Sequence, residues 1–276
     1  MSESTSHRAI ARNYATEHAN RIHSDETAAR YGFAGGLVPG IALYAYLTDP
    51  LVGIIGPAWL ASGQSSVKFL KPVYDGAEVE VRIRAIDPSP PRFALELYDP
   101  SDVLCSIAEA GLPEQTPPPS PNDYPFRPLP APEDRREATL ANVSKGDLLG
   151  SLEFTVDLAG AQRVFLDEIG SIPEIFREPE AFCHPAWLLA QANEILARNV
   201  VLGPWIHTGS EVQHYALAED GETLSLRGRI IETGAKRGHD FVTMDLALFG
   251  REERVIAAIK HSALIRLREA QGSNQA

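Results

Sequence analysis

Between positions 17 and 25 the chain places Glu17, His18, Asn20, His23 and Asp25, so two imidazoles, two carboxylates and a side-chain amide share one short segment. Imidazole, with an ordinary pKa of about 6.5, accepts protons near neutrality, and a neighbouring carboxylate or second imidazole can orient it or share its proton, so the cluster suits general acid–base chemistry. The same side chains also suit zinc or iron, but ligands from one loop usually need a distant partner, and none stands out; no metal is expected. Asp25 opens the segment 26–31 and reads as an N-terminal helix cap more readily than as a base. The chain has no Gly-x-Ser-x-Gly elbow and no Gly-Lys-Ser/Thr phosphate loop. Gly35, Gly36 and Gly40 do not follow a strand as a dinucleotide site requires, so no cofactor is expected.

The elements that must position these groups are visible on either side. Residues 32–61 contain Asp49 as their single charge. Their length exceeds the roughly 20 residues of a membrane span, but Pro39, Pro50, Pro57 and the glycines at 35, 36, 40, 53 and 56 interrupt them, and the longest free stretch, 41–48, predicts a short buried helix. Gly40 begins that helix and Tyr44 lies within it. An internal repeat organises the rest. Gly56-Pro57-Ala58-Trp59 and Asp75-Gly76 return as Gly203-Pro204-Trp205 and Asp220-Gly221, at offsets of 147 (56 to 203) and 145 (76 to 221). Alternating strands follow each Asp-Gly, over 79–86 and 224–231, and further strands are predicted at 92–97, 104–110, 240–248 and 254–267. A long period present twice indicates a duplicated domain, each half a helical region followed by antiparallel strands. Nine prolines fall between 112 and 133, which predicts a stiff surface linker. The expected organisation is a first domain over 1–112, a linker over 113–135 and a second domain over 136–270.

Composition bounds the partners. With 276 residues, 44% hydrophobic, and a formal charge of −12, the chain can bury a large core and shows no cluster of Lys and Arg for nucleic acid. An anionic ligand needs only a local basic spot, for which Lys68, Lys71, Arg82 and Arg84 are candidates, although solvated strand faces account for them equally well. Cys105 and Cys183 sit in apolar contexts that suit buried thiols rather than a disulfide framework. With a polar start lacking an apolar stretch, the expected location is the cytoplasm, with no membrane partner.

The order Asn20-Arg21-Ile22-His23-Ser24-Asp25, then Ala28 and Gly32, then Gly36-Leu37-Val38-Pro39-Gly40, resembles the hydratase motif of MaoC-like and R-specific enoyl-CoA hydratases. Two positions depart from it: His18 stands where the motif has an aspartate, and Arg21 replaces its proline. The resemblance covers residues 13–84 and is weaker beyond. It implies an α+β double hotdog, two helix-wrapped antiparallel sheets joined into a pseudo-dimer, whose second half is structural and lines an acyl tunnel. It also implies hydration or dehydration of a 2-enoyl or 3-hydroxyacyl thioester borne by coenzyme A or an acyl carrier. His23 and Asn20 carry over directly, His18 or Glu17 would replace the aspartate, and the Gly40 amide would bind the carbonyl. Asp25, Tyr44 and Lys68 complete the substrate-binding set. Acyl-thioester binding without turnover and thioester hydrolysis, with Asp25 or Glu17 as the carboxylate, stay open, as does pairing of two chains into a homodimer.

Overall fold

The computed structural model describes residues 5–114, 116–171, 173–177 and 181–269. The extreme polar start at 1–4, Gln115 of the expected linker and the end at 270–276 lie outside them, as do 172 and 178–180. The first half runs β1 (Thr5–Ile10), α1 (Asp25–Arg30), α2 (Gly40–Ile55), α3 (Ala58–Ser62), β2 (Gln64–Phe69), β3 (Glu78–Pro88), β4 (Pro91–Tyr98) and β5 (Leu104–Gly111). After the proline-rich stretch come β6 (Arg136–Glu137), β7 (Leu152–Thr155), α4 (Ala161–Ile169), α5 (Pro185–Asn199), β8 (Val200–Val201), β9 (Ile206–His214), β10 (Thr223–Lys236), β11 (His239–Phe249) and β12 (Val255–Arg266).

Ten of these strands form one antiparallel sheet in the order β1-β3-β4-β5-β2-β9-β12-β11-β10-β7. The order is symmetric about its centre, since β1, β3, β4, β5 and β2 occupy places that β7, β10, β11, β12 and β9 repeat in mirror sequence. The join is the antiparallel pairing of β2 with β9, from Gln64 opposite Gln213 to Lys68 opposite Gly209. Alternation fixes which face is buried: Val79, Val81 and Ile83 of β3 point into the core, and a slip of one residue would turn them to solvent.

The two long helices lie in the concave core. Chain direction turns at Pro39, whose extended ψ of 136° precedes α2, and the helix ends at Gly56 with φ of 85°, a conformation that favours glycine. The expected short helix over 41–48 is therefore too short: α2 continues through Pro50 to Ile55. Proline costs one hydrogen bond inside a helix, but nearly every side chain from Ile41 to Val52 is buried, and this packing outweighs the local break. Helix α5 begins with Pro185 at its first position, and the Ala186 amide donates to His184 Nδ1 at 3.0 Å.

That cap also fixes the His184 tautomer. With Nδ1 accepting, Nε2 bears the proton and donates to Asp49 Oδ1 at 2.8 Å, while the Ser171 hydroxyl donates to Asp49 Oδ2 at 2.9 Å. Asp49 and His184 are both buried, so the middle of α2 is bound to the start of α5 by a satisfied polar cluster. The proline-rich stretch crosses the outer face of the second half, where Tyr124 packs on Ala247 and Phe249 and donates to Asp245. Among the described residues no helix is long and apolar enough to cross a membrane.

Removing the acceptor of a buried hydrogen bond, so that its donor is left unsatisfied, costs about 1–3 kcal/mol. Asp49→Ala is expected to lower unfolding stability by that order in a urea titration, and Asp49→Asn, which keeps an acceptor, by less. A second expectation concerns acid. Burial pushes the imidazole of His207 down to about 3 and that of His214 down to about 4. Both remain neutral when folded yet titrate at about 6.5 when unfolded. Their full contribution is present above that value, so stability should fall as pH drops from 6.5 toward 4. The urea midpoint measured across this window should fall less steeply in His214→Gln.

Candidate active site

A cavity of about 690 Å³ opens between the halves. The first half contributes Tyr14, His18, Asn20, His23, the start of α2 at Val38, Pro39 and Gly40, and the segment 69–73 after β2; the second contributes Asn193 and Ala197 of α5, residues 200–203, Trp205 and His207. Most of this wall is apolar; its polar groups include His18, Asn20 and His23 of the segment 18–23 and, elsewhere on the wall, Lys71, Arg135, Asn193 and Glu194.

His23 closes a one-turn 3-10 helix, Arg21–His23, headed by Asn20. Its Nδ1 lies 2.7 Å from the Leu37 carbonyl. A carbonyl only accepts, so Nδ1 holds the proton and Nε2 presents a lone pair. Burial lowers the imidazole below its ordinary value, the Leu37 hydrogen bond opposes this, and the nearby His18 lowers it further. At neutral pH His23 is thus an uncharged base with a fixed tautomer.

Two contacts hold that ring in place. Gly36 lies so close to the His23 carbonyl that a side-chain carbon at 36 would collide with it, while Asn13 Nδ2 donates to the same carbonyl at 2.8 Å. The Gly36 amide donates to Asp25 Oδ1 at 2.7 Å. Asp25 is therefore a tether for the glycine turn rather than the helix cap expected of it: Ser24 occupies the cap position, and Asp25 is exposed and off the cavity wall. Asn20 spans the two halves. Its Oδ1 accepts from the Trp205 amide at 3.2 Å and its Nδ2 donates to the Trp205 carbonyl at 3.0 Å, with Nδ2 also 3.4 Å from His23 Nε2.

The other expected residues separate. His18 and Gly40 lie on the wall with His23; His18 stands edge-on to the Tyr14 ring at 5.6 Å. Glu17 is exposed and off the wall, because the turn at 14–19 directs it to solvent. Tyr44 is fully buried inside α2, bonded to the Ser65 hydroxyl at 2.8 Å, and burial raises its phenol to about 12. Lys68 points outward from β2 on the face opposite Val67, whereas Lys71, three residues on, lines the cavity. Arg82 is committed to Glu80 and Asp102. Among the described residues no group of three or more His, Cys, Asp and Glu side chains is placed to hold a metal. Trp205 and His207 were missed: the Gly-Pro-Trp repeat marked their neighbourhood, but nothing in the sequence said that β9 would join β2.

No family model matches the chain, and no curated protein matches it in sequence. Solved structures do match in shape. A MaoC domain protein from Chloroflexus aurantiacus J-10-fl, assigned as a dehydratase, superposes with a TM-score of 0.68 at 10% identity, covering 97% of this chain and 96% of its own. A Mycobacterium tuberculosis protein with a double hotdog fold gives 0.61 at 16% identity, covering 95% and 96%. A protein from Lactobacillus plantarum assigned as an oleoyl thioesterase gives 0.54 at 9% identity, covering 97% and 98%. The fold is an α+β double hotdog, shared by MaoC-like dehydratases and by hotdog thioesterases.

Gly36→Ala is expected to displace the His23 backbone, and Asn20→Ala to release the 203–205 loop. Both should weaken protection of the Trp205 amide in hydrogen exchange, by tenfold or more for Asn20→Ala if its pair of hydrogen bonds contributes about 1.4 kcal/mol or more.

Proposed function

We propose that the chain adds water to, or removes it from, a 2-enoyl or 3-hydroxyacyl thioester, with His23 as the base. The observation that supports this most is the imidazole at the cavity wall whose Nδ1 proton is held by Leu37 and whose Nε2 lone pair meets one long contact, 3.4 Å from Asn20 Nδ2, that a water proton would replace. In the hydration direction, Nε2 takes a proton from water as its oxygen bonds to Cβ. Electrons move through the double bond onto the thioester oxygen, and the imidazolium returns its proton to Cα as the carbonyl re-forms. The charge on that oxygen would be met by the start of α2, where the Gly40 amide has no intrahelical acceptor and the helix dipole favours negative charge.

His18 stands in for the motif's aspartate as a second imidazole on the same wall, able to share a proton though not to supply a fixed charge. Asn20 acts as a positioning residue through Trp205. The exposed Lys71 from the first half and Arg135, which also donates to the Ala197 carbonyl, both line the cavity and suit the phosphates of a coenzyme A or carrier arm. A lyase of fatty acyl metabolism in the cytoplasm is the setting this chemistry fits.

One observation favours a second reading, thioester binding without turnover: among the described residues no carboxylate side chain is hydrogen-bonded or ion-paired to His23, so the imidazolium has the Leu37 carbonyl but no negative charge to stabilise it. Hydrolysis has less support, since Glu194 is the single wall carboxylate among the described residues and is ion-paired with Arg198 at 2.6 Å.

Purified protein should hydrate crotonyl-CoA or longer 2-enoyl-CoAs, followed by loss of the enoyl absorbance. His23→Ala should lower the rate by about 10²–10⁴-fold, the usual worth of a general base. Because the base form is the active one and its pKa is lowered, the rate should fall only below pH 6.5 and be flat from there to pH 8. Bound thioester without turnover in the wild type would establish the binding reading instead.

A further inference from the structure

Helix α5 carries a polar side chain on the cavity wall that the proposed chemistry has not used. Asn193, Glu194 and Ala197 all line the cavity. Glu194 is held by Arg198, but neither atom of the Asn193 side-chain amide is hydrogen-bonded among the described residues. The other side-chain amides of the helix are satisfied. Gln191 Nε2 donates to the Trp187 carbonyl at 3.2 Å, and Asn199 Nδ2 donates to the carbonyls of Ile195 at 2.8 Å and Gly150 at 2.9 Å. Asparagine is a poor helix former, and a half-buried amide without partners is unfavourable as well. Within the protein nothing offsets either effect at 193.

The two ends of that amide are not equivalent. Oδ1 is closed off from solvent, whereas Nδ2 is not. A side-chain amide can place its nitrogen on either side, but a closed donor without a partner is rarer than a closed, under-satisfied acceptor. Oxygen therefore belongs on the closed side, and the NH2 group is left open. It can only donate, so the partner it lacks is an acceptor oxygen.

Arg135, the last residue of the expected linker, gives this donor its surroundings. Ala197 follows Asn193 by one helical turn on the same face, which sets their Cβ atoms about 5–6 Å apart. The Ala197 carbonyl accepts from Arg135 Nη1 at 3.0 Å, and the Pro132 carbonyl accepts from Arg135 Nε at 3.3 Å. Both acceptors are neutral, and among the described residues no carboxylate ion-pairs with this guanidinium, Glu194 being committed to Arg198. A fixed, uncompensated cation and an open donor thus follow one another along the C-terminal half of α5. A ligand that answers both carries an anion and, a few bonds away, an acceptor oxygen. A phosphopantetheine arm has that order, a phosphate followed by two amide carbonyls before the sulfur; an alkyl chain has neither.

We propose that the C-terminal half of α5 grips the arm that bears the thioester: Arg135 takes its phosphate, and Asn193 Nδ2 donates to one of its amide carbonyls. This rests on the thioester reading of the cavity but not on turnover. It gives the second half a direct part in selecting what the cavity accepts, beyond lining a tunnel.

The test titrates the whole chain calorimetrically with butyryl-CoA, 5-oxohexanoyl-CoA and S-butyl-CoA, a thioether that keeps the arm but has no acyl oxygen. Asn193→Leu, which puts a better helix former at 193, should weaken all three by about three- to tenfold, the worth of one neutral hydrogen bond. Asn193→Asp, of the same shape but without the donor, should weaken them at least as much, and it bears the test if the leucine variant does not fold. Arg135→Gln should weaken all three by about tenfold or more, as loss of a charge-assisted contact does. S-butyl-4′-phosphopantetheine, the part common to coenzyme A and carrier arms, should show both losses; an Arg135 effect that vanishes there would assign the guanidinium to the nucleotide phosphates and overturn its place on the arm. Unchanged affinity for S-butyl-CoA in both Asn193 variants would overturn the assignment of the donor, and a loss confined to the ligands with an acyl oxygen would give that donor to the acyl group instead. Losses on S-butyl-CoA in a protein that never hydrates crotonyl-CoA would support the assignment and remove the hydratase reading. A wild type that binds none of these ligands would overturn both.

Discussion

The pairing of β2 with β9 is the constraint on which the rest depends. Each half alone would end in a strand with unpaired amides and carbonyls, an edge that proteins must cover or charge. Joining those edges turns two five-stranded sheets into one of ten strands. The same join brings the Gly203–Trp205 loop over Asn20 and the His207 ring against the start of α2. A site that draws on both halves exists only because this edge is shared, and the Asp49–His184 cluster fixes the second relation, that of helix to helix, at the far side of the core.

Electrostatically the site is unusual in having no fixed negative charge at its base. Burial and the Leu37 hydrogen bond act in opposite directions on His23, and burial wins. The outcome is a base that is always available near neutrality and gains little help once it is protonated. Polar order comes instead from tautomers set by backbone groups: the Leu37 carbonyl for His23 and the Ala186 amide for His184.

Much of this was legible in the sequence, for identifiable reasons. Alternation over 79–86 and 224–231 announced β3 and β10 because one face of each is buried and the other is not. The duplication was visible in its turns, where Gly76 and Gly221 of the two Asp-Gly pairs both take a positive φ that favours glycine. The seam strands were not: Gln64–Phe69 and Ile206–His214 mix small and polar residues on both faces, since their edges meet another strand rather than solvent. Helix α2 was read too short because Pro50 is a local signal and the burial that overrides it is not local. At the site, His18 and His23 were singled out by type and spacing and Gly40 through the resemblance, and all three line the cavity. Asn20 was found too, but its partner was not, because Trp205 is remote in sequence. Tyr44, Lys68, Glu17 and Asp25 lie near the cavity in sequence and face elsewhere in space, and a motif cannot report which way a side chain turns.

The clasp between Asn20 and the Trp205 backbone has a further meaning once the two halves are seen as one covalent chain. In a site built by two separate molecules, such a contact is made and lost with concentration. Here the partner is always present at the high effective concentration set by the chain that joins them. Completing the pocket is thus a unimolecular event, indifferent to dilution, and each half can drift in sequence provided that the other is inherited with it.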